Sequence, residues 1–188
     1  MLLGGILMVL VVTNIHDLLQ LLPDAYRDGE MVTIIISVGA FVNMATGINY
    51  PILMNSSKYI WGSIFLLVLL ITAIICNYLL IDVMDLGILG AAIATSFSSA
   101  FYNLLKFFFI WKHFKMQPFD RKSILIFFIL AICLLIGLAI PSFGPSVVTI
   151  MVRGAISASI FILLTYSLKI VPEFDSLIPF FKKHRLNN

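Results

Sequence analysis

Charge is scarce in this sequence: charged residues fill 11% of its 188 positions, against 61% for hydrophobic ones. So few polar side chains cannot clothe a soluble core of this size, which excludes a water-soluble globular domain and makes the bilayer the solvent. The net charge of +3 comes with no basic solvent-facing domain, so nucleic-acid binding is excluded too. Cysteine is nearly absent. Cys76 and Cys133 fall inside apolar runs, where thiols behave as small hydrophobes, and neither is expected in a disulfide or at a metal. His16, His113 and His184 lack the i, i+4 partner that a helical metal site uses, so no metal is expected. The sequence also lacks a Ser/His/Asp set, paired carboxylates within one turn of a span, and a glycine-rich phosphate loop. No catalytic residues and no cofactor are expected.

What the chain does have is six long apolar stretches, at about 1–22, 31–54, 60–81, 87–111, 123–140 and 147–169. Each approaches the roughly 20 residues that a helix needs to cross a hydrocarbon core. Their continuous apolar runs favour helices over the alternating pattern of a barrel. Of the 12 Lys and Arg residues, all but Arg27 and Arg153 lie in or beside alternate gaps. Those gaps hold Lys58; then Lys106, Lys112, Lys115, Arg121 and Lys122; then Lys169, Lys182, Lys183 and Arg185. The other gaps carry Asp24, Asp28, Glu30, Asp82 and Asp85 around Arg27. Because short basic loops stay in the cytoplasm, the spacing predicts an all-α bundle of six transmembrane helices with both ends inside.

The loops are short. Pro23 ends the first helix, Asn55-Ser56-Ser57 separates the second from the third, and Pro141, Gly144 and Pro145 form the last outer turn. The tail at 171–188 sets Phe174, Leu177, Phe180 and Phe181 before Lys182, Lys183 and Arg185, which suits a segment lying on the inner leaflet. Met1 enters its apolar run with no basic flank and no cleavage pattern, so it does not read as a signal peptide. The expectation is that further membrane helices precede it.

Two helices carry polar or small faces. Gly39, Asn43, Thr46, Gly47 and Tyr50 fall within about 100° of one another on the second, while Asn49 points elsewhere. An amide in hydrocarbon needs a partner, so this face is either interhelical glue or a cavity lining. Asn43, Thr46 and Tyr50 are the substrate-pathway candidates. On the fourth helix, Gly87, Ala91, Ala94, Thr95, Ser98 and Tyr102 form a stripe that predicts close packing, with Gly87, Ala91, Ala94 and Ser98 at the contact. Arg153 sits inside the sixth span and either snorkels to headgroups or meets a phosphate, which makes it the fourth pathway candidate. Lys106 poses the same choice, with snorkelling expected.

One run, Asn77-Tyr78-Leu79-Leu80-Ile81 followed by Leu86-Gly87-Ile88-Leu89-Gly90-Ala91-Ala92-Ile93-Ala94-Thr95, resembles a pattern of polysaccharide and lipopolysaccharide flippases. These Wzx-like exporters belong to the multidrug/oligosaccharidyl-lipid/polysaccharide superfamily. Further matches are Asp17-Leu18-Leu19, Leu22-Pro23, Tyr26-Arg27-Asp28-Gly29, Asn43-Met44-Ala45-Thr46-Gly47, Asn103-Leu104-Leu105-Lys106 and Pro118-Phe119. Where the family has proline after Leu-Ile, this chain has Asp82-Val83-Met84-Asp85.

The resemblance implies the last six helices of a fourteen-helix, two-lobe flippase: residues 1–112 as part of the second lobe, 113–170 as the final helix pair with its connector, and 171–188 as a cytoplasmic tail. It implies transport of lipid-linked oligosaccharide in a bacterial inner membrane, for O-antigen or capsule-type assembly, together with a missing N-terminal lobe or other membrane subunits. The alternatives are an accessory subunit or gene remnant. A membrane-embedded polymerase or glycosyltransferase fits less well, lacking its long outer loop or intramembrane acids.

Overall fold

The computed structural model describes residues 1–116, 121–142, 145–168 and 170. The tail at 171–188, Gly144 of the last turn, and Pro118 and Phe119 lie outside them. The described residues are helical, without strands. Helices α1 (Leu2–Gln20), α2 (Glu30–Ala45), α3 (Asn49–Met54), α4 (Ile60–Asn77), α5 (Gly87–Phe114), α6 (Arg121–Ala139) and α7 (Ser146–Ser167) follow in order. Six spans are long and apolar enough to cross a membrane, close to the expected ones.

Two of the spans differ from expectation. The stretch 31–54 is not one helix: it stops at Ala45, turns, and resumes as the short α3. Pro51 supplies the reason, because it lacks an N–H and its ring would clash with the carbonyl four residues back, at Gly47. The third span ends in a π-helical segment, Tyr78–Val83, with Met84 N–H donating to the Leu79 carbonyl at 2.9 Å. Asp82 to Asp85 form the exit of this widened turn, and Asp85 is left-handed at φ 52°.

The spans form a row: α4, α5, α2, α1, and then α6 and α7 packed against α1 and each other. Met8, Val9, Phe41, Ile129, Leu130, Cys133 and Phe161 make one core around α1 and α6. Leu53, Phe65, Tyr102 and Phe109 make a second where α3, α4 and α5 meet. Spreading the spans in this way leaves much apolar surface outward, above all at the α4 end: Leu67, Leu70, Ile71 and Ile74 of α4 are all exposed. That arrangement is stable in lipid, where an exposed leucine costs nothing. One end of the row gathers Asp24, Asp28, Glu30, Asp82 and Asp85 (the acidic end), and the other gathers Lys58, Lys112, Lys115 and Lys122 (the basic end).

Candidate functional site

The polar face of α2 meets α5. At Gly39 a Cβ would lie 2.6 Å from Ser96 Oγ and 3.1 Å from Ser96 Cα, so only glycine allows this approach. Ser96 Oγ donates to the Ile35 carbonyl at 3.1 Å, and Asn103 Nδ2 donates to Asn43 Oδ1, also at 3.1 Å. Between these contacts lies a hollow of about 190 Å³ lined by Gly39, Asn43, Thr95, Ser96 and Ser99. Asn43, in the last turn of α2, and Thr95, in the first half of α5, remain exposed along this seam. Asn43 thus acts as glue and as lining at once. Thr46 is buried and returns its hydroxyl to the Val42 carbonyl at 2.8 Å, so it serves the helix end.

The break in the second span places α3 over Lys106. Lys106 is 3% exposed, with its Nζ 4.0 Å from the Tyr102 ring centre and 5.9 Å from that of Tyr50. It is buried under aromatic rings instead of snorkelling. A cation over such faces is attracted by their quadrupoles, and no carboxylate pairs with it among the described residues. Nearby on the same elements, both amide atoms of Asn49, Ser98 Oγ and Asn103 Oδ1 are buried without a hydrogen-bond partner among the described residues. The sequence reading set Asn49 apart from the polar face. The turn at 46–48 rotates α3 relative to α2, burying Asn49 with Leu53 and leaving Tyr50 partly open.

Arg153 neither snorkels nor stands free for a phosphate. It is 6% exposed and Asp17 1%. Arg153 Nη1 donates to Asp17 Oδ2 at 2.5 Å and to the Thr13 carbonyl at 2.8 Å. Its Nη2 donates to the Ile140 carbonyl at 2.9 Å and to Ser142 Oγ at 3.3 Å, and Ser142 donates to Asp17 Oδ1 at 3.2 Å. One guanidinium thus ties α1, the end of α6 and α7 together, and its charge is neutralised on the spot. Asp17 is thus an acid inside an apolar span, against the expectation that the spans hold none, and the usable signal was this lone acid and a lone arginine, both near the acidic end.

Along the α5 stripe, Ala94 and Ser98 are fully buried and Ala91 is half-buried. Gly87 is exposed at φ 51° and serves the turn from the π segment. The buried glycine is Gly90, packed on the Leu80 carbonyl. Both cysteines are free, and no group of three or more His, Cys, Asp or Glu side chains comes together among the described residues.

Comparison with protein-family models, with curated proteins and with solved structures finds no match to this chain. Its described residues are all-helical, with six helices among them long and apolar enough to cross a membrane. Its own motifs and geometry carry the functional reading.

Proposed function

We propose that the chain is part of a flippase that moves lipid-linked oligosaccharide units across a bacterial inner membrane for surface polysaccharide assembly. In this reading the basic end is cytoplasmic and the acidic end faces outward, following the distribution of Lys and Arg. One observation carries it beyond the motif resemblance: Asn43 and Thr95 stay exposed on the seam between α2 and α5. Amides and hydroxyls at membrane depth face protein or water, not lipid, so the seam is the wall of a polar cavity completed by further helices. Asn43, Thr95 and Ser99 offer hydrogen bonds to sugar hydroxyls, and Tyr50 offers an apolar ring face. Transport proceeds by rocking of this half against the missing lobe, with no covalent step.

The same open seam supports one second reading, an accessory subunit that docks its polar face on another membrane protein. Deleting the gene and restoring it with Asn43→Leu/Thr95→Val separates the two. The flippase reading expects lipid-linked units to accumulate and surface polysaccharide to fall, with the variant protein still present in the membrane. Normal polysaccharide in the deletion strain would overturn it.

A further inference from the structure

At the basic end, the packed ends of α4 and α5 gather lysines about one aromatic ring. Phe109 of α5 is buried against Trp61 and Phe65 of α4, with ring centres 5.2 and 5.4 Å away. Lys58, in the turn before α4, holds its Nζ 5.9 Å from the centre of the same ring. Lys106 and Lys112 are three residues from Phe109 and His113 is four, so helical periodicity sets all of them on the Phe109 face of α5. The His113 ring stacks on Phe109 at 4.1 Å. The lysines are graded in depth: Lys106 is buried, Lys58 is half-buried and Lys112 is exposed. Tyr59 and Trp61 remain exposed beside them.

No carboxylate among the described residues neutralises this patch. Asp17, Asp24, Asp28, Glu30, Asp82 and Asp85 all lie toward the acidic end, and the ion pairs of the described residues stay there. Residues 58–61 and 109–113 sit at the ends of membrane-length spans, which is the headgroup level where Trp and Tyr also concentrate. We infer that the face formed by Lys58, Phe109 and Lys112 binds the headgroup of an anionic phospholipid. The phosphodiester oxygens accept from the Lys58 and Lys112 ammonium groups, a charge-assisted contact. The acyl chains run along Trp61, Ile64 and Ile71, which are exposed on one side of α4. A free phosphate ion would meet the ammonium groups and none of this apolar wall, so the lipid is the better fit. The site stands apart from the transport reading.

A diffuse attraction between a basic surface and an anionic leaflet draws on every exposed lysine of that end alike. A site depends on Lys58 and Lys112. Lys122 provides the comparison, because it is exposed at the same end but stands on α6, which packs against α1 and α7.

The test reads Trp61 fluorescence from within the patch. Trp111, the other tryptophan, is two residues from Phe109 and so on the far side of α5, and Trp111→Phe leaves Trp61 as the reporter. The whole chain is reconstituted in phosphatidylcholine vesicles to which lipid brominated near the top of its acyl chains is added, either as phosphatidylglycerol or as phosphatidylcholine. Both leaflets hold the same lipid, so the orientation of the chain does not matter. Brominated phosphatidylglycerol should reach half-maximal quenching at a mole fraction at least about fivefold lower, the factor that one basic residue near an anionic surface supplies. Lys58→Gln/Lys112→Gln should bring the two lipids to parity, Lys58→Arg/Lys112→Arg should keep the preference, and Lys122→Gln should leave it unchanged. Equal quenching by the two lipids before those changes, a preference that survives the glutamine pair, its loss in the arginine pair, or an equal loss with Lys122→Gln would each overturn the site. Displacement of phosphatidylglycerol by inorganic phosphate at matched ionic strength would overturn the lipid as its ligand.

Discussion

Replacing Arg153 with alanine removes four hydrogen bonds at once, to Asp17, the Thr13 and Ile140 carbonyls and Ser142. It strands Asp17, whose side chain is 2% exposed, with Ser142 as its remaining partner among the described residues. Two scales compete for the size of the effect. Interhelical hydrogen bonds in membranes average about 0.6 kcal/mol, because the unfolded helices find other partners. A buried charge that loses its counter-ion costs about 3–5 kcal/mol. The second governs here, because what remains is a carboxyl group enclosed between helices without its counter-ion, and Arg153→Ala should destabilise by about 3–5 kcal/mol. The double variant Asp17→Leu/Arg153→Met replaces the pair with apolar groups and should lie within about 1 kcal/mol of the parent. Arg153→Lys should fall between, because one ammonium cannot reach Asp17 and the Ile140 carbonyl together. Unfolding in mixed micelles, followed by ellipticity, measures all four. Both tryptophans are remote from the pair (Trp61 stacks near Phe65 and Phe109), so their fluorescence would miss it. A cost below about 1 kcal/mol for Arg153→Ala, or a double variant as unstable as Arg153→Ala, would refute the reasoning.

Two further outcomes follow from packing and charge. Gly39→Leu should lose about 1–3 kcal/mol or more by driving α2 off Ser96, whereas Phe97→Leu on the exposed side of α5 should be mild; equal folded yields in the membrane would mean that α2 and α5 do not meet there. Reporter fusions after Lys58 and Lys115 should read as cytoplasmic and those after Arg27 and Asp85 as external, and an external reading after Lys115 would overturn the proposed orientation.

The spans were legible because bilayer thickness sets a length that hydropathy records locally. The face carrying Asn43 was legible because helical periodicity places residues without any knowledge of neighbours. The interruption at 46–48 was also written locally, in Gly47 and Pro51, although the apolar run continues across it and conceals it. Lys106 was harder. Its burial depends on Tyr102, one turn away on α5, and on Tyr50, which reaches it only because the break swings α3 back over α5.

By itself, then, the sequence determined a helical chain of six membrane-length spans and which helices bear polar faces. Both depend on residues within a turn or two of one another. The tertiary structure alone decided which polar groups are spent and which remain open. Arg153 is neutralised by a residue 136 positions away, Lys106 is covered by a helix the hydropathy ran together with its neighbour, and Asn43 and Thr95 are left exposed. A charge or amide in a membrane is defined by its partner, and partners are chosen by the packing of whole helices, which no local pattern encodes.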